Sequence, residues 1–323
     1  MTNKEVYKKT LTFSLRKLLV DFLSIVLLAA LCALGFIILD QTTGRGLIGL
    51  GFGLVLGIIA VAIISRFVSY SLKAAQIAMM TKGVVDGELP DNVYQEGKAV
   101  VKRRFATVAA YFAVTRVIKG IFNQIGKLIT NIGSAVGGDT GNTIGSIISS
   151  VVQVIVSYLC DCCLGWVFYR ESQGSVKATC EGAVIFFKHG KTLAKNLGRI
   201  FGIGIGSLIV IGGAFFGIAY GIFMLIPGAF RTLADEIAEA GVRLETDTPE
   251  FLTNPTNLAL VVAAILGVII WSVIHSTFIR PFVLTGVLRN YIESGKNDIP
   301  TEASFSILDK KSSKFAKLRR EGI

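Results

Sequence analysis

Hydrophobic positions in this chain run on in stretches of roughly twenty residues and stop at short polar turns. Leu18 to Leu39 is the first such stretch, ended by the turn Asp40 to Gly46. Leu47 to Tyr70 follows, with Gly49, Gly53 and Gly57 spaced along one face. After the polar segment Lys73 to Arg104 comes Phe105 to Arg170, two apolar helices joined at the Gly-rich turn Gly137 to Gly141. A second polar segment, Glu171 to Asn196, leads to a helix that opens at Leu197, carries Gly213, Gly217 and Gly221, and stops near Pro227. In the longer connection that reaches Asn257, Thr232 to Arg243 predicts a helix with Thr232 as its N-cap. The last stretch is Leu258 to Leu288, where Pro281 is placed to kink the helix. At ~1.5 Å of rise per residue each stretch can cross a bilayer, and the glycine spacing predicts close helix contacts.

The pattern predicts an all-α, polytopic membrane protein of about six transmembrane helices arranged as antiparallel hairpins. Its plan is a first transmembrane hairpin (1–72), a cytoplasmic connection (73–104), a central polar-striped hairpin (105–170) and a cytoplasmic amphipathic connection (171–196). A third hairpin (197–290) with an acidic outer loop (229–257) and a basic cytoplasmic tail (291–323) complete it. Each hairpin begins with a basic stretch and ends in a polar one. That regularity fits either an internal hairpin repeat or any protein with an even number of crossings.

Composition agrees with this class. The chain is 52% hydrophobic and 17% charged, against about 25% charged in soluble domains. The ~10-residue alternating segments of a membrane β-barrel are absent. Met1 to Lys17 is polar and basic and no small-residue cleavage site follows, so the first apolar stretch reads as a retained helix. The net charge of +11 would point to nucleic acid in a soluble protein, but its distribution says otherwise. Of the 33 Lys and Arg, only Arg45, Arg231 and Arg243 lie in the connections on one side, so both termini are expected in the cytoplasm, with the plasma membrane as the site. The basic tail is then a segment for anionic lipid, at ~1 kcal/mol per Lys or Arg, and no nucleic-acid partner is expected.

The candidate chemistry lies in the central hairpin. Arg116, Lys119, Asn123 and Lys127 recur at three- and four-residue steps on its first helix, and Gln153, Ser157 and Asp161 do so on its second. At ~100° per residue each set shares one face, and such faces avoid hydrocarbon. Arg116, Lys119, Asn123, Lys127, Gln153 and Asp161 are therefore the candidate residues of a solute path. Asp161 and Arg116 stand equally far from their turn, as do Asp21 and Arg66 from theirs, so both are expected as ion pairs within a hairpin. Lys119 and Lys127 have no matching acid, a surplus of positive charge.

No metal or cofactor is expected. Cys160, Cys162 and Cys163 sit at i, i+2 and i+3 around Asp161, a spacing that does not converge on one ion. The remaining cysteines, Cys32 and Cys180, complete no disulfide framework, and Cys180 is the thiol placed for acylation. With His189 and His275 as the only histidines and no nucleophile-elbow pattern, no catalytic set is visible, and the protein is not expected to be an enzyme.

Val176-Lys177-Ala178-Thr179, Ala183-Val184-Ile185-Phe186-Phe187 and Lys195-Asn196-Leu197-Gly198-Arg199 resemble the segment before the penultimate helix of the choline transporter-like family. Ile274-His275-Ser276-Thr277-Phe278, Leu288-Arg289-Asn290 and Ile307-Leu308-Asp309-Lys310-Lys311 are similar to that family's closing helix and tail. The resemblance covers the C-terminal half and implies transport, with no substrate residue carried over. The expected function is membrane transport or permeation of a small polar or anionic solute. The alternative is a non-transporting scaffold or complex subunit that recruits partners through its cytoplasmic segments. The glycine faces leave a homo-oligomer open in both.

Overall fold

The structure, a computed structural model, describes the chain except residues 106–114, 122–140, 196, 244–248 and 323, and except the side chains of 65–66, 141–152, 155, 190–195, 197–201, 243 and 321–322. It opens with α1 (Asn3–Thr43), then α2 (Gly46–Ile64), which continues through a π-helical turn (Ser65–Ser69) into α3 (Tyr70–Val85). α4 (Val93–Arg104), a helical stretch at 115–121, α5 (Gly141–Tyr169), α6 (Ser175–Lys195) and α7 (Leu197–Ser207) follow. A second π-turn (Leu208–Gly212) leads into α8 (Gly213–Met224), α9 (Pro227–Arg243), α10 (Glu250–Thr253) and α11 (Pro255–Ile274). A third π-turn (His275–Ile279) runs into α12 (Arg280–Asn297), and α13 (Glu302–Lys311) and α14 (Ser313–Gly322) close the chain. Among the described residues there is no strand.

Four helical runs are long and apolar enough to cross a membrane: Asn3–Thr43, Gly46–Val85, Gly202–Met224 and Pro255–Asn297. The crossings expected in the central hairpin fall partly outside the described residues. Three of the four runs have 40 to 43 residues, or about 60 Å, roughly twice the hydrocarbon thickness. About half of each must therefore find an environment other than lipid.

The contacts divide the chain accordingly. One compact unit comprises Met1–Arg16, Tyr70–Phe201 and Arg280–Ile323, and the other Lys17–Ser69 and Gly202–Ile279. The second unit turns its apolar side chains outward: Phe52, Leu56, Ile209 and Val210 are all exposed, Val210 by 70%. Surface of that kind calls for lipid as its solvent. Inside the unit α1 and α2 meet backbone to backbone. A methyl group added at Gly49 would stand 2.0 Å from the Gly35 carbonyl oxygen, and one at Gly53 2.2 Å from that of Leu31. The Gly49/Gly53/Gly57 face thus makes the expected contact. Gly213, Gly217 and Gly221 do not, since nothing lies within 4 Å of an added methyl there. Close approach falls instead one position earlier, where a methyl at Gly267 would stand 2.7 Å from the Gly212 carbonyl oxygen.

Local signals explain the ends of these helices. α9 begins at Pro227, where a missing N–H costs nothing at the first helical position. The expected N-cap Thr232 lies inside it, bonded to the Gly228 carbonyl at 3.2 Å. Asn254 caps α11, accepting from the N–H of Thr256 (3.0 Å) and Asn257 (3.2 Å), with Pro255 next. Pro281 cannot donate to the carbonyl one turn back, and the π-turn His275–Ile279 ends two residues before it. Phe230, Ala234, Leu258 and Ala259 form a buried cluster with Tyr220 and Phe223 packed against it, so α9 folds back on α8 and α11.

The first unit has an ordinary hydrophobic interior. Phe13, Ile77, Met79, Met80, Trp166, Ile185, Tyr291 and Phe315 are among its largest buried side chains. Segments expected as peripheral connections supply much of it: α6 buries Ala178, Ala183, Val184 and Ile185, and the tail buries Phe305, Leu308 and Phe315. The tail is thus two packed helices, and Arg319 spends its charge on Asp309 (2.6 Å) and Glu302. Glu181 is buried on α6, accepting from Trp166 Nε1 at 3.0 Å and Arg170 Nε at 3.1 Å.

Candidate functional site

Three helices of the first unit meet at one carboxylate. α5 brings Asp161, whose side chain is 8% exposed; α3 brings Lys73 and α12 brings Arg280. Lys73 Nζ stands 2.7 Å from Oδ1 of Asp161, and Arg280 Nη2 stands 2.7 Å from Oδ2. The same Nη2 donates to Ser157 Oγ at 2.6 Å, one turn before Asp161 on α5. The guanidinium also lies over the Tyr158 ring, 5.2 Å from its centroid. Arg280 Nε is buried with no hydrogen-bond partner.

Two cations share one anion, so the cluster carries one surplus positive charge. Burying charge is costly unless it is paired; Asp161 is the buried member, while the Lys73 and Arg280 side chains stay 30% and 25% exposed. The sequence makes Asp161 conspicuous, but it points to the wrong partner. Arg116 is exposed, on a stretch that turns Ile118 and Ile121 inward, and Asp161 takes its cations from α3 and α12 instead. Those helices are brought to Asp161 by tertiary packing, which a depth argument confined to one hairpin cannot register. One signal was available: Lys73 closely follows the apolar stretch ending at Tyr70, and Arg280 directly follows Ile279 within the last apolar stretch.

Lys119 and Gln153 are exposed. Asn123 and Lys127 lie outside the described residues. Asp21, in the second unit, pairs with Lys17 one turn earlier; the side chain of Arg66, its expected partner, is outside the described residues. Lys17 Nζ donates further to Ser276 Oγ at 3.0 Å and Thr277 Oγ1 at 3.3 Å, both in the third π-turn. Cys180 is buried, which pushes its thiol up to about 12 and withdraws it from acylation chemistry. His189 Nε2 approaches Asp298 at 3.2 Å beside Lys188 at 2.8 Å. Among the described residues no three His, Cys, Asp or Glu converge as metal ligands.

The fold and the apolar exterior define the class: an integral membrane protein built of helices. Comparison with family models, with curated proteins and with solved structures gives no match.

Proposed function

We propose that this protein passes a small anionic or polar solute across the membrane. One observation carries the reading, the shared carboxylate of Asp161 between Lys73 and Arg280 with its surplus positive charge. Fixed positive charge away from bulk water attracts a mobile anion and repels a cation, so it both draws and selects. In this reading the chain crosses the plasma membrane about six times with both termini in the cytoplasm. Arg116, Lys119, Asn123, Lys127 and Gln153 continue the polar route along the central hairpin. The resemblance of the C-terminal half to the choline transporter-like family favours transport as the class. Surplus positive charge disfavours a choline-like cation and favours an anion or zwitterion.

A scaffold is the second reading, favoured by the extent to which the connections and tail are built into one packed unit. Thiol chemistry separates the two. In a background with Cys32 and Cys160 replaced by Ser, Gln153→Cys in a solute-passing protein reacts with membrane-impermeant maleimide. In a scaffold, whose central hairpin faces lipid or protein, the same thiol stays unlabelled, and that result would overturn the transport reading.

A further inference from the structure

A cavity in the first unit plays no part in the clamp on Asp161. Its volume is about 430 Å³, and its walls include Lys9, Thr12 and Arg16 of α1 and Asp91, Asn92 and Tyr94 at the start of α4. Positions 9, 12 and 16 are spaced to share one face of α1. The Arg16 guanidinium sits over the Tyr94 ring, 3.7 Å from its centroid. Phe13, buried, packs against the same ring at 5.5 Å, so the platform under Arg16 is fixed by the core. Lys98 adds a third cation, 5.6 Å from that centroid.

Among the described residues none of Lys9, Arg16 and Lys98 is engaged in an ion pair, and the nearby Glu96 is taken by Arg103 at 2.8 Å. Asp91 is the one carboxylate on the cavity wall. The volume lies in the range of small-ligand sites. Its place on the chain is also informative. The apolar stretch of α1 starts two residues beyond Arg16, and Leu15 and Leu19 on either side are 53% and 58% exposed. Basic side chains at the start of a crossing lie at headgroup depth.

We propose that this cavity binds a phosphate-bearing anion, supplied by the headgroup of an anionic phospholipid. Arg16, pre-organised on Tyr94, and Lys9 hold the phosphate, and Lys98 strengthens the local field. Asp91 opposes binding and limits its strength.

Native mass spectrometry of the full-length protein, offered phosphatidylglycerol and phosphatidylcholine together, reads the preference directly. Wild type is expected to retain phosphatidylglycerol selectively. Lys9→Gln combined with Arg16→Gln lowers that preference about thirtyfold, at ~1 kcal/mol per basic contact. Lys102→Gln combined with Lys177→Gln, both exposed and outside the cavity and the basic tail, removes equal charge elsewhere and leaves it unchanged. Asp91→Asn raises it, an outcome that remains readable if the double variant at α1 fails to fold. A thermal shift with inorganic phosphate, abolished by the α1 substitutions and unaccompanied by lipid preference, assigns the same site to soluble phosphate. Equal retention of phosphatidylglycerol by wild type, the α1 double variant and Asp91→Asn, with no phosphate shift, overturns the site. So does an equal loss in the variant at Lys102 and Lys177.

Discussion

At the scale of the residue, Asp161 decides most. An acid in an apolar stretch must meet a cation or lose its charge, so its pairing was legible in the sequence while its partners were not. Its two cations are not equivalent to it in consequence. Asp161→Asn leaves Lys73 and Arg280 with no counter-charge and is expected to destabilise by ~3–5 kcal/mol. Lys73→Met leaves the carboxylate on Arg280 and costs less. Unfolding in detergent monitored by tryptophan fluorescence should rank them in that order; a larger loss in Lys73→Met contradicts the clamp. Asp298 gives a prediction in pH. The hydrogen bond from Lys188 holds its carboxyl below the usual range, so its contribution is present above the ordinary carboxylate pKa. That contribution is lost as pH falls through the lowered value. Melting curves of wild type and Asp298→Asn should therefore differ at pH 7 and converge in strong acid, with wild type the more stable at pH 7.

At the scale of the element, length and apolarity were legible and neighbours were not. Both glycine faces carry the same spacing, yet only one is used within the chain. Gly53→Ala, whose methyl would meet the Leu31 backbone oxygen at 2.2 Å, forces α1 and α2 apart and is expected to cost ~1–3 kcal/mol. Gly217→Ala meets nothing within 4 Å and is expected to be neutral or to stabilise by ~0.4–1 kcal/mol. Thermal melts in lipid nanodiscs check both, and equal loss in the two variants contradicts the packing described. The amphipathic stretch within 171–196 reads alike as a surface helix and as a core helix. Periodicity reports that one face is apolar but not whether lipid or protein covers it. In α6 it is protein, and the same holds for the tail, whose positive charge disguises the buried Phe305, Leu308 and Phe315.

At the scale of the molecule, the membrane class followed from run length alone, and the division into two units did not. Runs of 40 to 43 residues exceed any bilayer requirement, a mismatch the sequence records but cannot interpret without the partners of the excess turns. The structure supplies those partners in the packed first unit, where Lys73, Asp161 and Arg280 meet. Transport of a small anion is the claim that rests most heavily on that meeting, and flux in proteoliposomes tests it most directly. Vesicles containing the wild type, offered chloride, acetate and phosphate against potassium and choline, should pass at least one anion in preference to both cations. Lys73→Gln, checked for native size in detergent, should reduce that preference. No flux above empty vesicles, or flux that favours cations and ignores the substitution, contradicts the account.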